Sequence, residues 1–245
     1  MADRTVQPKV TTFAGLSLDR PRIMGIVNVT PDSFSDGGEA LRVEDAVSRG
    51  RAMLAAGADI LDIGGQSTRP GATPVSVDEE CARVSPVIET LADEGALISI
   101  DSQRAAVMRT AVAAGAKIVN DVTALDGDPD AAAVVAETGV SVILMHMQGA
   151  PQTMQENPTY DVPSRDIRDY LAGRIAVCEA ADISRDRIAV DAGIGFGKTL
   201  DHNLELLAHM DVLHALACAV VLGVSRKSFI GRLTGAEDPQ ERVAG

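Results

Sequence analysis

Residues Gly95–Asp121 read GALISIDSQRAAVMRTAVAAGAKIVND and contain the repeating unit of the chain twice over. A glycine precedes a short apolar run, Leu97–Ile100, which ends at Asp101; a helical stretch, a second glycine at Gly115 and a second run, Ile118–Val122, follow. Glycine just past a helical stretch is the residue that adopts the left-handed cap conformation at low cost. A short run of β-branched and apolar residues behind it reads as a buried strand.

Outward from this stretch the unit recurs. Gly57 precedes Ile60–Ile63, and Gly139 precedes Val140–Met145. Ile188–Val190 and Ala219–Val224 continue the series, and Ile23–Val27 begins it, making seven strands. Helix starts follow local rules: Ser76 and Glu79 form a capping box in SVDE, Asp128–Pro129 reads as an N-cap with proline at the first helical position, and Asp238, Pro239 and Glu241 repeat the signature. Val77, Cys81, Val84, Ile88 and Leu91 mark one buried helical stripe. Residues 1–22, with Val10, Phe13 and Leu18, are expected to form a hairpin that caps the amino-terminal end of the domain.

Continuous apolar strands alternating with helices imply a parallel sheet. An open sheet gathers ligand chemistry at one switch point, whereas a barrel draws it from the carboxyl ends of many strands. Here Asn28, Asp62, Asp101, Asn120 with Asp121, His146, Asp191 and Ser225-Arg226-Lys227 each follow or end a strand. The expected fold is therefore α/β, a (β/α)8 TIM barrel whose eighth strand is absent from the sequence given. One domain spans 1–245, since no Pro/Ser-rich linker divides it.

A net charge of -13 argues against nucleic acid or an anionic membrane as partner. The amino-terminal residues lack the apolar segment of a signal peptide, and the longest apolar run, 213–224, is too short to span a bilayer. Cys81, Cys178 and Cys218 have no CxxC spacing and read as reduced, packed thiols. A soluble cytoplasmic protein is expected.

Asn28 ends the first strand, and the loop beyond it, Thr30–Gly38, crowds turn formers and hydroxyls around one aromatic, Phe34, and so reads as a mobile lid. A second loop, GGQSTRPGA, carries Thr68, Arg69 and Pro70; Arg69 fits either a solvated surface charge or a bidentate anion ligand. In DAGIGFGKT, Ala192 and Lys198 fall where a phosphate loop and a dinucleotide fingerprint would need glycine. Its glycines would let the backbone approach a ligand with Phe196 as a wall, and Lys198 fits a surface charge as readily as a ligand. SRKSFIG places Lys227 and Ser228 after the last strand, where barrels often bind anions. His146 reads as a satisfied interior group, and the other histidines show no metal spacing. Asp101, Asn120 and Asp191 are ordinary capping residues singly. Together, with Lys227, they offer acceptors and a donor of the kind a 2-amino-4-oxo heterocycle demands.

These motifs together carry a resemblance. NVTPDSFSDGG, DIGGQSTRPGA, LMHMQGAPQTMQ, DAGIGFGKT and GVSRKSFIG, in that order, make the chain from Ile23 onward similar to the dihydropteroate synthases of folate biosynthesis. What the resemblance implies is a usually dimeric transferase that joins para-aminobenzoate to 6-hydroxymethyl-7,8-dihydropterin diphosphate with the help of Mg²⁺. On matching positions, Asp101, Asn120, Asp191, Lys227, Met145 and Gly223 would hold the pterin, and Asn28 would coordinate Mg²⁺. Thr68, Pro70, Phe196 and Ser228 would surround the aminobenzoate, and Asp101, Lys227, Arg69 and Phe34 form the implied catalytic set. Gln66 stands where the family usually has Glu, Ala192 where it usually has Pro, and the family's eighth strand, with its Arg and His, is not in this sequence. An inactive pterin-binding homologue is the alternative reading. A pterin-dependent methyltransferase on a similar barrel would lack the first and last of these loops.

Overall fold

The seven expected runs all form strands of one parallel sheet. In the computed structural model, which describes residues 10–30, 39–66, 75–149 and 153–244, the sheet strands are β3 (Met24–Asn28), β4 (Ile60–Gly64), β5 (Ile98–Asp101), β6 (Ile118–Asp121), β7 (Ser141–Met145), β8 (Ile188–Asp191) and β9 (Ala219–Val221). They lie in sequence order, β3-β4-β5-β6-β7-β8-β9, and every pairing is parallel. The sheet curls into the wall of a (β/α)8-type barrel. Among the described residues no strand joins β9 to β3, so each keeps a free edge, where Ile26 (48 % exposed) and Leu222 (47 %) meet solvent.

Helices alternate with the strands: α1 (Glu39–Ala55), α2 (Val77–Asp93), α3 (Ala105–Ala113), α4 (Ala131–Thr138), α5 (Pro163–Ala180), α6 (Leu200–Ala208), α7 (Asp211–His214) and α8 (Ser228–Thr234). Leu61, Ile63, Ile98, Ile100, Val142 and Leu144 turn outward into the core shared with these helices. The opposite face of the same strands carries a separate apolar layer at its amino-terminal end: Ile60, Ile118, Ile143, Ala189 and Ala219 pack around Phe13. Phe13 belongs to a hairpin of β1 (Thr12–Phe13) and β2 (Leu16–Ser17), with Val10, Leu16 and Leu18 against the same layer. Side chains alternate along a strand, so the residues two and four positions beyond this floor face the barrel interior nearer its carboxyl end.

The glycine caps form as expected, with positive φ at Gly57, Gly95, Gly115 and Gly139. Ser76 Oγ accepts from the Glu79 N–H at 3.2 Å, while the Glu79 carboxylate turns to Arg83. Two local expectations are corrected. Asp128 does not cap α4, which begins behind Asp130; its carboxylate accepts instead from the Ala105 N–H at 2.9 Å, at the first turn of α3, and from the Asp130 N–H at 3.0 Å. Val77, placed on the buried stripe of α2, is 37 % exposed, and Glu80 is buried on that helix instead. Glu80 is tolerated there because Ser102 Oγ and Arg104 Nη1 donate to its two oxygens at 2.8 and 3.0 Å. The Asp238 signature opens a 3-10 helix, Pro239–Ala244, with Asp238 Oδ1 accepting from the Gln240 N–H at 2.8 Å.

Candidate functional site

The polar rim grows from strand register. Asn28, Gly64, Asp101 and Asn120 are successive lateral partners across β3, β4, β5 and β6. A row of side chains at one level, all on the inner face, results. Gly64 leaves this row open at its second place: a Cβ there would stand 3.4 Å from Asn28 Oδ1 and 3.5 Å from Asp101 Oδ2. Two side-chain oxygens therefore flank a gap.

One level deeper lies Asp62, 2 % exposed, opposite Ser99 in register. Its Oδ2 accepts from Asn120 Nδ2 at 2.9 Å, reaching across β5, while its Oδ1 and the Ser99 hydroxyl are buried without a hydrogen-bond partner. Burial raises the Asp62 carboxyl above its ordinary value, a rise that Ser99 and Asn120 moderate. Asp101 is raised well above the carboxylate range, first by burial and then by the charges of Asp62, Asp121 and Glu80. Among the described residues no cation offsets this rise.

The other side of the rim differs in sign. Asp191 ends β8 beside Met145 in register, and its Oδ1 accepts from the Gly193 N–H at 2.7 Å. Burial raises its carboxyl, but the Gly193 N–H, Lys227 and Lys198 all favour its charge. Lys227 Nζ lies 4.2 Å from the centre of the Phe196 ring, within cation–π range, and burial lowers its pKa. Gly223 faces the same carboxylate, with a Cβ there 3.9 Å from Asp191 Oδ2, and Ser228 is exposed at the first position of α8.

Lys198 is neither a surface charge nor open to a ligand. It is 3 % exposed, and its Nζ donates to the Phe196 carbonyl at 2.8 Å and the His146 carbonyl at 3.3 Å, with His146 Nδ1 at 3.1 Å. Burial pulls its pKa to about 7, with Asp191 opposing and Lys227 adding to the fall. His146 is an interior group; burial and Lys198 lower it to about 3, and Tyr170 meets its ring edge-on at 4.9 Å. The loops after β7 and β8 are thereby tied together. Their closeness requires Gly193, at φ 67°, because a Cβ would fall 2.0 Å from the His146 carbonyl oxygen.

The loop after β6 is fixed differently. Ala124 and Leu125 both have positive φ, 54° and 60°. Asp121 accepts from the Thr123 N–H and hydroxyl, each at 2.8 Å, and from the Leu125 N–H at 2.9 Å. From α5, Arg174 donates to the carbonyls of Ala124 and Leu125 at 2.8 and 2.9 Å and to Asp126 Oδ1 at 2.8 Å.

The family described as pterin binding enzyme matches residues 24–245. The chain belongs to the pterin binding enzyme family. Within it, dihydropteroate synthase of Escherichia coli strain K12 is 47 % identical over 231 residues, which cover 94 % of this chain and 81 % of that protein. The structure of Xanthomonas albilineans dihydropteroate synthase with 4-aminobenzoic acid is 51 % identical with a TM-score of 0.87, covering 94 % of this chain and 82 % of that one. The same enzyme in complex with 7,8-dihydropteroate matches at TM-score 0.84 and 47 % identity, with the same coverage.

Of the residues singled out for this pterin-binding chain, Asn28, Asp101 and Asn120 share one row, while Asp191, Met145, Gly223, Lys227 and Phe196 gather around β8 and β9. Phe34, Thr68, Arg69 and Pro70, and the lid expected over Thr30–Gly38 beyond Thr30 itself, lie outside the described residues. Asp62, read from the sequence only as a polar residue at a strand end, lies instead inside β4, where it is a lone carboxylate in an otherwise apolar strand; Ser99 was not singled out and carries no signal beyond a hydroxyl in the next strand.

Proposed function

We propose that this pterin binding enzyme is a dihydropteroate synthase, a transferase that condenses 6-hydroxymethyl-7,8-dihydropterin diphosphate with para-aminobenzoate and releases diphosphate. The observation that carries the reading is the two-sided rim: an acceptor-rich side, Asp101 and Asn120, faces the inner end of the barrel, and a carboxylate among cations, Asp191 with Lys227, stands across β7. A pterin ring presents N–H donors and one oxo acceptor. Asp101, Asn120 and Asp191 take the ring N–H and amine protons, and Lys227 donates to the oxo group. Met145 and Gly223 bound the ring's faces.

The bond between the exocyclic methylene carbon and the diphosphate oxygen breaks, its electron pair leaving with diphosphate. The electron-rich ring, held against Asp101 and Asp191, stabilises the methylene cation. The aromatic amine then forms the C–N bond and gives its proton to water. Stabilising charge in a preorganised site needs no protein nucleophile. Phe196, already against Lys227, with Ser228, Thr68 and Pro70, seats the aminobenzoate beside the pterin, and the Phe34 and Arg69 loops exclude competing water.

Mg²⁺ is part of this proposal. Among the described residues no three His, Cys, Asp or Glu side chains gather as a metal cage. An ion that keeps several waters and is shared with substrate phosphates needs few protein ligands, and Asn28 Oδ1, on the edge of the Gly64 gap, is a suitable hard oxygen for it. When bound, the ion offsets the charge of the departing diphosphate. A homodimer in the cytoplasm is part of the same proposal; three free cysteines suit a reducing compartment, and no described helix is long and apolar enough to cross a membrane.

The test is diphosphate release by the full chain as a function of both substrates and Mg²⁺. Release that requires all three supports the synthase. Tight pterin binding with no release under any combination overturns it in favour of the non-catalytic homologue.

A further inference from the structure

Asp62 is an expensive residue in an expensive place. It is 2 % exposed in the interior of the barrel, has no cation among its hydrogen-bond partners, and has only the Ser99 hydroxyl, short of a well-formed hydrogen bond, to temper its second oxygen. A hydrophobic side chain of similar size would serve β4 at lower cost, since an unpaired buried acceptor is unfavourable. The strand's outward residues, Leu61 and Ile63, already supply its packing. What Asp62 does uniquely is accept from Asn120 Nδ2, at 2.9 Å, across the intervening strand.

An amide has two ends of opposite character, and nothing in its shape fixes which end faces a ligand. The Nδ2 end of Asn120 faces Asp62, donating to Oδ2 at 2.9 Å; the reversed amide would set Oδ1, an acceptor, against that acceptor oxygen. With Nδ2 so held, position 120 offers the pocket one fixed order of acceptor and donor.

We propose that Asp62 is a positioning residue for specificity: by locking the Asn120 amide in one orientation, it makes the rim accept a 2-amino-4-oxo heterocycle and reject a 2,4-dioxo one. Asp62 acts through Asn120 and does not itself touch the ligand. The inference rests on the synthase reading only in taking a pterin as the ligand.

The experiment measures affinities of the full chain for 6-hydroxymethylpterin and for 6-hydroxymethyllumazine, which has an oxo group in place of the amine. Four proteins are compared: the parent, Asp62→Asn, Asn120→Ala and the double variant, with circular dichroism confirming the fold. An asparagine at 62 both donates and accepts, so it frees Asn120 to flip. The expected result is a fall of about tenfold in the pterin-to-lumazine affinity ratio for Asp62→Asn, equivalent to about 1.4 kcal/mol. The KM for para-aminobenzoate stays within twofold. In the Asn120→Ala background, which has no amide to orient, Asp62→Asn changes the ratio less than twofold. An unchanged ratio in folded Asp62→Asn overturns the proposal, as does an equal fall with and without Asn120, the signature of general loosening. Asp62→Ala, read by the same ratio, replaces Asp62→Asn if that variant does not fold. A parent chain that binds neither heterocycle overturns the pterin reading itself, a failure distinct from the other two.

Discussion

Asp101 and Asp191 occupy equivalent places, each the last residue of a barrel strand and each raised by burial, yet their surroundings are opposite. Among the described residues, the charges that act on Asp101 are of its own sign: Asp62, Asp121 and Glu80. Around Asp191 stand Lys227, Lys198 and a backbone N–H. Equal strand position therefore does not give equal chemistry. The β5 side waits for a ligand to bring donors, whereas the β8 side is already compensated and offers a donor of its own.

The largest effect is expected where the compensated side is held together. Gly193→Ala sets a Cβ 2.0 Å from the His146 carbonyl oxygen at a φ of 67°, and is expected to cost about 3 kcal/mol or more in chemical denaturation. Pterin binding is expected to disappear with it, although the Asp101 side is untouched. Lys198→Met is expected to cost about 2 kcal/mol, because the carbonyls of Phe196 and His146 lose a buried donor. Its pH signature is distinctive. With Lys198 near 7 in the fold and at its ordinary value near 10.5 when unfolded, the unfolded chain binds the extra proton between those values. Stability of the parent then rises as pH goes from about 7 towards 10, and the variant lacks that rise.

The two aspartates themselves give the sharpest contrast. Asp101→Asn is expected to gain about 1 kcal/mol at pH 7 while losing pterin affinity, since it removes a buried carboxyl whose ionisation the folded site opposes. The sign follows from the raised carboxyl: the folded parent retains a proton that the unfolded chain has released, so its stability falls as pH climbs from the ordinary carboxylate range through the raised value. Thermal melts across pH 4 to 8 are expected to show a smaller fall in the variant than in the parent, the remainder coming from the other raised carboxyls. Asp191→Asn is expected to show a smaller gain or none, and equal gains would erase the proposed difference between the sides. At the lower end, Thr199→Ala removes the hydroxyl that accepts from the His202 N–H at the start of α6, for about 1 kcal/mol, with heterocycle selectivity unchanged.

Much of the barrel wall was legible because four of its strands, β4 to β7, are each announced by a glycine with positive φ and most strands end at or just before a polar residue, two signals that depend on neighbours in the chain. The failures share a cause. Val77 and Glu80 lie within one turn of each other, and only Ser102 and Arg104, more than twenty residues on, decide that the glutamate is the one buried. Asp128 looks like a local cap, but its second oxygen serves a helix that precedes it in sequence. In the site, Asp101, Asn120 and Asp191 were visible as a set of types, whereas Lys198 stayed ambiguous because its burial is set by carbonyls of two loops. The role of Asp62 was hidden for the same reason, its partner being 58 residues away.

The clamp on the loop after β6 has a kinetic corollary. Arg174 ties two loop carbonyls to a helix, and Asp121 receives the Thr123 and Leu125 amides from within. Those amides can meet solvent only when helix, loop and strand end separate together, so their deuterium uptake will be as slow as that of the α5 interior. The segment next to Asn120 is a loop by shape and a rigid element by exchange.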